Sequence, residues 1–220
     1  MKQFKSSKDT IKIQEDEDVL GLPEKFLGYT QYNKQLEHIV FDLDEEIQSA
    51  KYYRHVCNKL LELGEDDTVD INICSGGGDL EGFLVLYDAL NKTQADVTAN
   101  VKGFCDSAAS MIALSCPNIS VSPYATMLVH FVEFGLPRDR ASDIRKRVNH
   151  LNDFCYELFC DVYVGFLTED EIKACVHDGK QMLMQYDEIV ERLESRATML
   201  NGLTKEANEN FNSKQQGLTD

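Results

Sequence analysis

Three short segments carry residue types from which a reactive site can be built. Ser75-Gly76-Gly77-Gly78 directly follows an apolar run and directly precedes a helical pattern. Glycines at such a junction let the backbone turn and expose consecutive N–H groups at a helix start. That arrangement suits a phosphate or an oxyanion; taken alone, it is equally a tight turn. The segment lacks the Lys-Ser/Thr of a phosphate-binding loop and the spacing of a dinucleotide fingerprint, so it implies no cofactor. The second segment is Gly103-Phe104-Cys105-Asp106-Ser107-Ala108-Ala109-Ser110. A serine at a strand-to-helix turn can present its hydroxyl while the following N–H groups point at a reacting carbonyl. The plainer reading is helix capping by Ser107 or Asp106. The third is His130, which closes the apolar run Ala125–Val129. A histidine there can be a general base or simply a packed or exposed ring.

The elements that must position these residues alternate along the chain. Short β-rich runs at 38–43, 69–74, 95–101, 118–122 and 125–130 are separated by helical patterns at 47–63, 79–92 and 107–114. In the 79–92 pattern, Leu80, Phe83, Leu84, Tyr87 and Leu90 fall on one face. A long helical pattern follows Pro137, over 139–164, then two shorter ones near 168–177 and 186–197. Strand, crossover helix and strand in succession imply parallel pairing with right-handed crossovers, and so an α/β fold. Residues 1–36 are polar and weakly periodic, and are expected to form an arm outside the core. The polar tail 201–220 is expected to be frayed or helical only in part, which leaves 37–200 as the folded domain.

The ordered set of motifs resembles the Clp protease proteolytic subunit family and its phage-encoded relatives. Family members carry an INSPGG-type loop, YD in the next helix, a Gly-x-Ala-Ala-Ser segment, and a strand ending Met-Ile-His. Here the elements read INICSGGG, LYDAL, GFCDSAASMIAL and TMLVH, in the same order. Arg140-Ala141-Ser142-Asp143-Ile144 resembles the start of the family's long helix, and the likeness covers roughly 37–190. It implies the Clp/crotonase-like spiral of parallel strands with crossover helices, the 139–164 helix projecting as a handle. By position, Ser107 matches the nucleophile, His130 the general base, and the N–H groups of Gly78 and Ala108 the oxyanion hole. Ser110 is a rival nucleophile, because it too follows Ala-Ala, but choosing it requires an insertion after Gly103.

The third member of the triad is where the likeness weakens. Aligning Gln185-Tyr186-Asp187-Glu188 with the family's Ser/Thr-x-x-Glu-Ala helix start puts Gln181 at the Asp position. Asp178, three residues earlier, can serve after a local shift. A glutamine can orient an imidazole but cannot stabilise an imidazolium as a carboxylate does. Three readings stay open: Asp178 serves, a Ser–His dyad works slowly, or the site is degenerate. The family's Tyr-Gly-Leu-Val-Asp-like strand is also missing, with Glu191-Arg192-Leu193-Glu194-Ser195 in its place.

The resemblance implies a serine endopeptidase, needing no ATP of its own, that cuts unfolded or capsid-type polypeptides. It implies a homo-oligomer of heptameric rings stacked through the handle, and is compatible with an AAA+ unfoldase as partner. The alternatives are an inactive Clp-type ring subunit, which Gln181 favours, and a crotonase-type acyl-CoA enzyme. The Ser107/His130 pairing and the want of a CoA loop argue against the latter. Composition narrows the field further. Of 220 residues, 38 are acidic and 22 basic, for a net charge of −16, which repels nucleic-acid backbones. Seven cysteines with no CxxC pair argue against a disulfide framework or a structural zinc site and point to a reducing cytoplasm, of a phage-infected bacterium if the phage likeness holds. No apolar leader or membrane-length apolar stretch is present.

Overall fold

The computed structural model describes residues 36–133, 135 and 140–216, with side chains to 205. The expected N-terminal arm and the lead-in 136–139 to the long helix lie outside the described residues. Six strands form one mainly parallel sheet: β1 (His38–Leu43), β2 (Thr68–Ser75), β3 (Asp96–Asp106), β4 (Asn118–Val121), β5 (Thr126–Val129) and β6 (Met182–Gln185). The order is β1-β2-β3-β5-β6, and β4 branches from β3. Crossovers are made by α1 (Arg54–Glu62, preceded by a 3₁₀ turn at Ala50–Tyr53), α2 (Leu80–Lys92) and α3 (Ala108–Leu114). After β5 come α4 (Ala141–Tyr163) and α5 (Glu169–Asp178), and α6 (Tyr186–Gln216) follows β6.

Burial alternates along β2 and β3, so one sheet face is covered by helices and the other is not. The inward residues Val69, Ile71, Ile73, Val97, Ala99 and Val101 pack with Phe83, Leu86 and Leu90 of α2. The outward residues are polar and pair across the strands: the Asn72 amide donates to Asp42 at 2.8 Å, and Asn100 to Asp70 at 3.3 Å. This is why VDINIC reads as an alternating strand rather than the continuous apolar run of a doubly covered parallel sheet.

β3 is longer than the sequence pattern suggests, and it serves two neighbours. Thr98–Val101 pair with β4, while Phe104, Cys105 and Asp106 pair with β5. Against β2 the register slips between Ile73 and Ser75, leaving extra residues on β3 around Gly103. Such a bulge re-aims the rest of the strand. A Cβ on Gly103 would lie 2.8 Å from Cys74 Sγ, so glycine is what fits the bend.

Two features differ from expectation. β6 has no counterpart in the sequence reading; it pairs antiparallel with β5. The last helix runs to Gln216, well past 197, so the backbone of 201–216 is helical throughout. In α4, buried residues occur only from Cys155 onward, and the N-terminal two-thirds contributes none.

Candidate active site

The glycine segment is held at both ends by the chain before it. Ser75 is buried; its hydroxyl donates to the Glu45 carbonyl at 2.6 Å and accepts the Gly77 N–H at 3.2 Å. Ile47 donates its N–H to Gly77 O and accepts the Asp79 N–H, each at 2.8 Å. Gly78 is therefore the bridged residue between them, and its own N–H points away from Ile47. The backbone there needs φ of 88° at Gly77 and 145° at Gly78, both glycine territory. Asp79 then caps α2 by accepting the Gly82 N–H at 2.9 Å.

At the end of β3, Ser107 has φ 53° and ψ −124°, the one positive φ among described non-glycine residues. Its N–H donates to Leu128 O at 2.8 Å, and its carbonyl accepts from the N–H groups of Ser110 and Met111. The backbone is thus pinned to β5 on one side and α3 on the other. The hydroxyl makes no cap bond and has no partner among the described residues. Helix capping, the plain reading of this serine, is not what its side chain does. Ser110 is different: it is buried, donates to Ser107 O at 2.7 Å, and shares a 2.6 Å hydrogen bond with Tyr163. It fixes the elbow to α4 and has no access to a substrate.

The two turns interlock. A Cβ on Gly77 would lie 2.6 Å from Asp106 O and 2.7 Å from Ser107 Cβ. Ser107, Ala108, Gly76, Gly77, Gly78 and His130 line one open cleft of roughly 850 Å³, with Leu151 and Cys155 of α4 on its far wall. His130 Nδ1 lies 2.8 Å from the Phe131 carbonyl. Since a carbonyl only accepts, Nδ1 carries the proton and Nε2 is left as an acceptor. The four residues Ser107, His130, Gly78 and Ala108, picked from sequence, therefore share one wall-to-wall space. No direct Ser107–His130 hydrogen bond is present among the described residues. Both residues line the same cleft.

A family model for Clp protease matches residues 24–165, well over half of the chain. The chain belongs to the Clp protease family. The mainly parallel sheet with crossover helices is the α/β fold expected of a Clp-type chain. No curated protein matches the chain. The matched span holds Ser107 and His130 and stops short of Asp178 and Gln181.

For the third position, the pairing of β5 with β6 bears on the two candidates. β5 and β6 pair Val129 with Met182, Leu128 with Leu183 and Met127 with Met184. Continued by one residue, that register sets His130 opposite Gln181. Asp178 ends α5, exposed, and neither it nor Gln181 is among the residues lining the cleft. The structure brings Ser107, His130, Gly78 and Ala108 together and leaves Asp178 apart. Glu191–Ser195, where the family has a further strand, lies within α6.

Sequence reasoning treated Asp106 only as a potential helix cap. Its carboxylate instead accepts the Leu128 N–H at 2.9 Å, bridging β3 to β5. Half-burial raises its pKa; the Leu128 N–H and the nearby His130 each pull it back down. The parallel pairing of Asp106 with Leu128 of β5, a register between segments far apart in the chain, reveals why this position matters.

Proposed function

We propose that the chain is a serine-type peptidase. The observation that carries this is the strained Ser107, its hydroxyl without a partner among the described residues, lining one cleft with His130, Gly78 and Ala108. Ser107 Oγ attacks the scissile carbonyl as His130 Nε2 takes the hydroxyl proton. The oxyanion so formed is stabilised by the N–H groups of Gly78 and Ala108. Collapse of the tetrahedral species breaks the C–N bond, and the proton on His130 passes to the leaving amine. Water then attacks the Ser107 ester by the same route in reverse, freeing the carboxylic acid. Such a site acts on an extended backbone, so the substrate is an unfolded or capsid-type polypeptide. The working form is a homo-oligomeric ring, with an AAA+ unfoldase as a compatible partner, in a reducing cytoplasm.

The test is labelling by a fluorophosphonate, read by mass spectrometry. The wild-type chain should be modified on Ser107, Ser107→Ala should not be labelled, and Ser110→Ala should retain labelling. Loss of labelling only in Ser110→Ala would reverse the assignment. Gln181 opposite His130 favours a second reading, a ring subunit without hydrolysis. Wild-type protein that assembles but neither labels nor cleaves an unfolded polypeptide would establish it.

A further inference from the structure

We propose that the work of the missing third carboxylate is divided: the Phe131 carbonyl sets the His130 tautomer, and Asp106 supplies the negative charge. This rests on the peptidase reading above. The Phe131 carbonyl, 2.8 Å from Nδ1, holds the ring with its proton on that nitrogen. A carbonyl dipole can do that, but it carries no net charge to balance an imidazolium. Gln181, opposite His130 by strand register, carries none either.

Asp106 is a carboxylate that the strand pairing places on the same sheet face as His130. Parallel pairing sets Asp106 beside Leu128. Leu128 and His130 share a sheet face, since residues two apart in a strand project alike, and Met127 and Val129 take the buried face. Asp106 and His130 are thus diagonal neighbours, a separation across which long side chains still interact. One oxygen of Asp106 is spent on the Leu128 N–H, which locks the carboxylate in place. The other has no partner among the described residues. Half-burial keeps the interaction from being fully screened by water. Asp106 sits behind the cleft rather than in its lining, which carries four carboxylates, on Glu46, Asp79, Glu81 and Glu133. Asp79 is tied to the start of α2, and none is fixed to β5 as Asp106 is. Asp106 is therefore a positioning residue twice over: it ties the strand that carries His130 to the elbow that carries Ser107, and it favours the charged ring that forms during attack.

The decisive variant is Asp106→Asn, which keeps an oxygen acceptor for the Leu128 N–H and removes the charge. The measurement is the pH profile of the fluorophosphonate labelling rate at Ser107. Asp106→Asn should lower the plateau rate by about 10–100-fold, a fraction of the loss seen when a directly bonded triad carboxylate is removed. The acid limb of the profile should move to lower pH, because an imidazole without an adjacent negative charge gives up its proton more readily. Asp106→Asn/Gln181→Asp should recover much of the rate by supplying the charge from the opposite strand. A wild-type profile in Asp106→Asn overturns the proposal. So does a loss equal to that of Asp106→Ala and unrelieved by Gln181→Asp, which would mark a purely structural clamp. Failure of the wild-type chain to label at any pH would instead sink the peptidase reading, and this one with it.

Discussion

A serine with φ near +53° is uncommon, and its cost is measurable. Residues held in such sparsely populated backbone regions cost about 1–3 kcal/mol each and persist only where the surroundings over-determine them. Around Ser107 the surroundings do: Leu128, Ser110 and Met111 take its backbone groups, and Gly77 packs against its Cβ. Ser107→Gly should relieve the strain and Ser107→Ala should not. At equal protein concentration, the glycine variant should melt about 2–4 °C above the alanine one, and neither should be labelled. Equal melting temperatures would mean that the backbone is not strained there. The same site shows how far a linear sequence can be read. The count from Gly103 prefers Ser107 to Ser110, and the structure buries Ser110 against Tyr163. Asp178 is a choice made on charge; the pairing of β5 with β6, whose register continued by one residue faces His130 with Gln181, is not visible in a linear sequence.

At the scale of elements, two arginines of α6 fasten the C-terminal half. Arg192 of α6 makes a two-pronged contact with Glu171 of α5, at 3.0 and 2.8 Å, and a further hydrogen bond to the Phe166 carbonyl. Glu171 also completes the capping box with Thr168 that starts α5. The Arg192 hydrogen bonds are the largest cause of its pKa falling to about 2, from an ordinary 4.5. A carboxylate with a depressed folded pKa contributes stability that is present above its unfolded pKa and lost as pH falls through the folded one. Glu171→Gln should therefore destabilise at neutral pH, by on the order of 1–2 kcal/mol, since the pair is partly wet. The gap from wild type should close between about pH 4.5 and pH 2. A constant gap in denaturant melts across that range would refute the linkage. A second clamp, Arg196, donates to Leu114 O and Val162 O and so ties the ends of α3 and α4 together. None of this was visible beforehand. The 186–197 stretch reads as a helix on periodicity, but which carbonyls its arginines reach depends on packing between segments far apart in sequence. The strands and first three helices were legible because period-2 and period-3.6 patterns survive in a sheet covered on one face. The short β6, four residues between two helices, gives too little pattern to separate from a loop.

For the whole molecule, α4 poses the question of what it leans on. Its N-terminal part carries Ile144, Val148 and Leu151 at helical spacing, none fully buried, while burial starts at Cys155. Phe154 and Tyr156 are also more than a third exposed. An amphipathic stretch with no full partner among the described residues offers a face that another copy would cover. Analytical ultracentrifugation should show a species several times 25.0 kDa, and Val148→Asp should shift it toward smaller forms. A monodisperse monomer that labels at Ser107 as fast as any larger species would contradict this.

The interlocking of Gly77 with Ser107 also bears on when activity arises. The parts of the site come from residues 77–78, 107–108 and 130, well separated along the chain, and each holds a shape its neighbour imposes. Gly77 cannot settle until the elbow is in place, and the elbow has no reason to turn until β5 has paired. On the peptidase reading proposed above, an incomplete chain would hold the reactive residues but not their geometry, so newly made subunits would not cut one another while their backbones are still extended enough to be substrates.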